Sequence, residues 1–286
     1  MVSIKSFAAL ALFSYLAVAA PVRREVPQEH SHEPILTAVR ATLNLNNPDK
    51  IVDPVFALLG DAAAAQGAGD ITDLACLQQA VADQAFTNGK AAGDVDAMVN
   101  ALLFRAIERN TGKVGLASAL CTQTAKNPEI AAITQHQDPA SPNAAATNKA
   151  IVLELAKQIA AVGGNPQDAL KSGTFAPGNL NDNTGKGNSC DDANDPNGCI
   201  FTQNLLVEDA TADEINAAVA GVSSGNNAAA SASSSAASAT SSADCAEETV
   251  TVTVTASATA TDSAATCAPP SSTVTVTITP TATARR

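Results

Sequence analysis

The stretch "DVDAMVNALLFRAIERNTG", residues 94–112, decides how this chain folds. Val95, Met98, Val99, Leu102, Leu103, Ala106 and Ile107 recur at three- and four-residue spacing, which lines them along one stripe of an α-helix. Asp94 stands where an N-cap carboxylate accepts from the first free amides, and Gly112 stands just past the expected end. The stripe requires a core to face.

Working outward, "ATNKAIVLELAKQIAAVGG" (146–164) repeats the pattern, with Val152, Leu155, Ile159 and Val162 on one face and Gly163 placed to take a left-handed terminal conformation. Asp53-Pro54 and Asn165-Pro166 each read as an N-cap followed by proline at the first helical position. With "ITDLACLQQAVADQAF" (71–86) and "KVGLASALC" (113–121), these segments predict about six to eight short helices and no alternating strand pattern. The expected fold class is all-α, a small disulfide-stapled helical domain over residues 34–171, followed eventually by a long low-complexity tail.

The ends of the chain have a different character. Residues 1–19 place Lys5 ahead of an apolar run that closes on Ala17-Val18-Ala19, the pattern of a secretory signal peptide. The run is too short to span a bilayer of ~30 Å as a helix, so no membrane span is expected. Residues 20–24 read as a short pro-segment ending at the dibasic pair Arg23-Arg24, and 25–33, "EVPQEHSHE", as a disordered N-terminal segment. Removing residues 1–24 deletes Lys5, Arg23 and Arg24 and no acid, so the net charge moves from −12 to −15. Such an acidic chain without basic clusters is not built to bind nucleic acid.

Residues 221–286 turn to Ser, Thr and Ala, with two Thr-Val blocks, "TVTVTVTASATAT" (249–261) and "STVTVTITPTATA" (272–284). Alternation of this kind has β propensity, but the Ser/Ala flanks bury too little to fold, and an O-glycosylated stalk is the preferred reading. Six cysteines, Cys76, Cys121, Cys190, Cys199, Cys245 and Cys267, fall into neighbours in an oxidising compartment. The expected disulfides are Cys76–Cys121, Cys190–Cys199 and Cys245–Cys267.

Between core and tail, residues 172–220 form an acidic Asn/Asp/Gly loop and a terminal helix, packed on the helical domain, where Thr211 and Glu214 have capping-box spacing. Asp182, Asn183, Asp191, Asp192, Asn194 and Asp195 invite calcium. The spacing is wrong: counting from Asp192, position five is Pro196 and no glutamate stands at position twelve. The expectation is a loop that holds itself through turns and a Cys190–Cys199 bridge, with Phe175 and Ile200-Phe201 as apolar anchors.

No catalytic constellation is visible. His30 and His32 sit in the N-terminal segment, His136 in the loop "QHQDPASP", and no nucleophile motif, zincin motif or phosphate loop occurs. The adjacent Asp191 and Asp192 read as solvated acids rather than as a glycosidase pair. No catalytic residue, metal ligand or cofactor is therefore expected. The mature chain has no Trp or Tyr for stacking sugars, leaving Phe56, Phe86, Phe104, Phe175 and Phe201.

The segment "GTFAPGNLNDNTGKGNSCDDANDPNGCIFTQNLLVEDATADEI" (173–215) resembles one found in secreted, cell-wall-associated proteins of filamentous fungi, and the similarity extends over about residues 35–220. That family brings no catalytic residues to carry over. The resemblance implies a non-enzymatic extracellular or wall protein, with wall polysaccharide or a host surface protein as partner. The alternative expectation is a diffusible secreted interaction protein acting on a host or neighbouring cell.

Overall fold

The computed structural model describes residues 26–182, 184–223, 252–254 and 274–276. The expected signal peptide and pro-segment, the expected Cys245–Cys267 pair and nearly all of the tail lie outside the described residues. The chain divides into two units, Met1–Ala230 and Ser231–Arg286.

The first unit is helical. Its helices are α1 (Glu33–Leu43), α2 (Asp61–Ala64), α3 (Leu77–Ala92), α4 (Val95–Ala106), α5 (Pro128–Ala131), α6 (Ala144–Ala161), α7 (Cys199–Thr202) and α8 (Ala212–Val219). Helices α3 and α4 form a tight hairpin, turned at Gly93 with φ +68° and restarted by Asp94, whose side chain accepts from the Ala97 amide. Gly89 makes the close approach possible, because a β-carbon there would lie 3.0 Å from the Ala97 side chain. α1 packs across both helices of the hairpin, α6 packs against α4, and α8 lies along α6. Leu36, Val81, Phe86, Leu102, Phe104, Leu155 and Ile159 meet in one core and are fully buried. The alanines Ala82, Ala85, Ala101 and Ala156 are equally buried and keep the helices close.

The caps fall where expected. Asp53 and Asn165 accept from amides two residues on, although the turns they open, Pro54–Leu58 and Pro166–Ser172, are 3₁₀ rather than α. Thr211 and Glu214 form a reciprocal capping box, and Gly163 ends α6 at φ +90°.

Two helical expectations are corrected. Residues 113–121, "KVGLASALC", form turns and extended chain instead of a helix. Gly115 there takes φ +81°, Gln135 donates to Ala119 O, and Cys121 is drawn to Cys76 by a disulfide. α4 also stops at Ala106, short of Ile107 and of the end marked by Gly112. The buried Gln78 amide donates to Phe104 O and Ile107 O at 2.9 and 2.8 Å, and the His136 amide donates to Ala106 O at 2.8 Å. Side chain and loop thus take carbonyls that the next helical turn would have used. Beyond Ala106 the chain runs extended, and residues 107–111 are all buried.

In the second unit, Val252–Val254 and Val274–Val276 pair as antiparallel strands with Val252 opposite Val276. They come from the two Thr-Val blocks.

Candidate functional site

The buried exit segment from α4 carries the polar cluster of this protein. A helix continued through Ile107 would have put Glu108 opposite its apolar stripe. The extended chain buries Glu108 instead, together with Arg109. Glu108 accepts a hydrogen bond from the Thr174 hydroxyl, and burial pushes its carboxyl up to about 7, against the opposing bonds from Thr174 and Gln28. Asp138, also pushed up by burial, lines the same small cavity as Glu108, beneath Phe175, Gly178 and Gly187 of the loop. At about 20 Å³ that cavity has room for about one water. A space of that size admits no sugar ring.

Positive groups stand beneath. Arg105 is buried and donates to the Gln135 side chain at 3.0 Å, with burial and the neighbouring Arg109 lowering it to about 10. Arg109 donates to Leu59 O at 3.1 Å and lies 3.5 Å from Asp61 Oδ1. His136 is fully buried, and its Nδ1 is 2.7 Å from Ala106 O. A carbonyl only accepts, so Nδ1 carries the proton. Nε2 then stands 3.3 Å from Asp209 Oδ2, and no hydrogen bond joins the two atoms.

The N-terminal segment is the largest departure from the sequence reading. Residues 26–32 are a strap packed into the domain, not a disordered lead. The Val26 amide donates to Thr111 O at 3.0 Å, and Val26, Gln28, Ser31 and His32 are buried. His32 lies edge-on to Phe201 with ring centres 5.4 Å apart. Its Nε2 donates to Gly173 O, and its Nδ1 lies beside the Ser31 hydroxyl, which can donate to a neutral ring, both at 3.0 Å. Burial accordingly lowers its pKa to about 4. His30 is half-buried, and both its backbone amide and Nδ1 lie within 2.9 Å of Asp191 Oδ1. Mutual bonding raises the His30 pKa and lowers that of Asp191. Glu29 completes a three-member group, its donor atom within 4.8 Å of those of His30 and Asp191. The strap was illegible because its composition is polar and its partners stand far along the chain.

The acidic loop behaves as its residue types suggest. Asn179, Asp182, Asp192 and Asp195 each accept from the amide two residues on, four separate Asx turns. Asp192 is thereby engaged with Asn194, apart from Asp191, and Asn183 lies outside the described residues. Phe175 and Ile200 are buried as anchors, and Phe201 is half-buried against His32. Cys190 and Cys199 are bridged with Cα atoms 6.1 Å apart, and Cys76 and Cys121 with Cα atoms 4.5 Å apart. Gly198 joins this loop to the strap. At φ +80° a β-carbon there would meet Ser31 O at 2.6 Å.

No family model, curated protein or solved structure matches this chain. None of the helices among the described residues is long and apolar enough to cross a membrane.

Proposed function

We propose that this chain is a non-enzymatic secreted protein of the fungal cell wall or cell surface, a rigid helical head displayed on an O-glycosylated Ser/Thr stalk. One observation carries the reading: every cysteine among the described residues is paired in a disulfide. Such bonds persist in oxidising compartments and are rare where glutathione keeps thiols reduced. The signal-like leader and the resemblance of residues 173–215 to wall-associated fungal proteins support the same destination. The stalk reading rests on the composition of residues 221–286. Contact with wall polysaccharide would run through sugars on that tail and through the Asn/Asp-rich loop, since Phe86, Phe104 and Phe175 are committed to packing.

Fractionating the producing cells tests the proposal. The mature protein is expected in the wall fraction, freed by wall-degrading enzymes, with a mass above that of its bare chain. Recovery of unglycosylated protein from the medium overturns it in favour of a diffusible factor that acts on a host or neighbouring cell.

A further inference from the structure

We propose that Glu29, His30 and Asp191 form a binding site for a divalent transition-metal ion, with Zn²⁺ the best fit. One imidazole nitrogen and two carboxylate oxygens converge within 4.8 Å of one another. They come from two segments separated by some 160 positions, so the fold, not local sequence, assembles them.

The site is braced. Glu29 Oε2 accepts from Asn110 Nδ2 at 2.6 Å and from the Gln28 amide at 3.1 Å. Asp191 Oδ1 accepts from the His30 amide at 2.9 Å. Among the described residues no donor engages the second oxygen of either carboxylate. Protein amides thus orient both carboxylates, the arrangement by which outer bonds aim metal ligands. Asp191 also follows Cys190 directly, so the disulfide to Cys199 limits the movement of its backbone.

The dimensions suit a small cation. Zn–N and Zn–O bonds of about 2.0–2.1 Å at a tetrahedral angle separate two ligand atoms by about 3.3 Å. His30 Nδ1 and Asp191 Oδ1 are 2.8 Å apart and need to open by roughly half an ångström. The Glu29 donor has to close by at most about 1.5 Å, which a half-buried side chain can do by rotation. Water completes the shell on the open side. A mixed nitrogen and oxygen set favours Zn²⁺ over Ca²⁺, which takes six to eight oxygens. Two carboxylates balance the ion's charge, and Glu33 adds negative potential at His30. Lys186 borders the groove beside Glu29 and is the one competing cation lining it.

The experiment is a Zn²⁺ titration of the full mature protein, stripped with a chelator and read by calorimetry. The expected result is one saturable site per chain in the micromolar range or tighter, weakened at least about tenfold in His30→Gln, Asp191→Asn and Glu29→Gln. The nearby Asp195→Asn is expected to bind as wild type. Glu29→Gln keeps an acceptor for Asn110, so its fold is preserved even if Asp191→Asn loosens the loop. Absence of saturable binding below millimolar Zn²⁺ overturns the proposal, as does wild-type affinity in the three variants. Binding of Ca²⁺ in preference to Zn²⁺ overturns the assigned metal chemistry.

Discussion

Replacing Glu108 by glutamine should change the shape of the stability curve against pH, not merely its height. The Glu108 carboxyl is raised from 4.5 to about 7 by burial. Between those values the folded state holds a proton that the unfolded state has released. Its contribution is fully present below about pH 4.5 and is lost as pH rises through about 7. At about 1.4 kcal/mol per unit, the loss is about 3 kcal/mol. His32 acts in the opposite sense. Its pKa is lowered from 6.5 to about 4, so the folded state refuses a proton that the unfolded state takes up. That stability is fully present above about pH 6.5 and is lost as pH falls through about 4, again about 3 kcal/mol. Across the overlap the two slopes offset each other, and these groups together leave the wild-type curve nearly level.

Glu108→Gln removes one slope and leaves the other. The amide oxygen still accepts from Thr174, so packing is preserved and the variant mimics the protonated acid. Relative to wild type, the variant should gain about 3 kcal/mol between about pH 4.5 and about pH 7. For a domain of this size that corresponds to a relative Tm change of roughly 6–12 °C. Asp138 and His30 are common to both proteins and cancel to first order in the difference. Urea unfolding followed by far-UV circular dichroism is the suitable assay, because the chain has no Trp and its single tyrosine, Tyr15, lies in the expected leader. Parallel wild-type and variant curves across that range would refute the reasoning. They would show Glu108 ionised in the folded protein and stabilised by its neighbours.

The two disulfides should contribute unequally. Chain entropy gives about 4 kcal/mol for the Cys76–Cys121 closure, with its separation of 45, and about 2.7 kcal/mol for Cys190–Cys199, with its separation of 9. Serine pairs at each site, compared by urea midpoint, should preserve that ranking, and the reverse order would mean that native packing rather than loop length sets the difference. Gln78→Leu should cost about 1–3 kcal/mol in the same assay, because Ile107 O loses its donor and Phe104 O keeps only the Ile107 amide at 3.3 Å. A cost under about 0.5 kcal/mol would show that another donor or water serves those carbonyls.

The helices were legible because their signals are local. A stripe such as Val95 to Ala106, a cap such as Asp94 and a reciprocal pair such as Thr211 and Glu214 depend on residues within a turn of each other. Where a distant group intervened, local reading failed. The continuation of α4 into Ile107 was plausible by periodicity, and only Gln78 and His136, each about thirty positions away, reveal why it stops. Burial of Glu108 followed from that stop. The strap failed for the same reason: "PQEHSH" has the composition of a solvated lead, and nothing within it announces Asp191, Gly173 or Thr111 as partners. The candidate metal group inherits this blindness, since its ligands share no motif spacing.

These failures occupy one place in the domain. The exit from α4, the strap and the loop from Gly173 to Ile200 meet at a polar corner, while α1, α3, α4 and α6 enclose one continuous apolar cluster. The two parts divide the work of folding differently. An apolar core tolerates many arrangements of similar volume, whereas a buried carboxyl and a buried imidazole with fixed hydrogen-bond partners are satisfied by few. The corner therefore contributes less to net stability than to fixing one register of strap against loop. Burial raises the Glu108 pKa and lowers that of His32, so their pH dependences offset each other between about pH 4.5 and about pH 6.5. On the proposed reading, a head displayed on a cell surface meets changing pH without the protection of a buffered cytoplasm. A polar corner whose two main titrations cancel keeps the strap seated across that range, and with it the Glu29, His30 and Asp191 group that the strap carries to the surface.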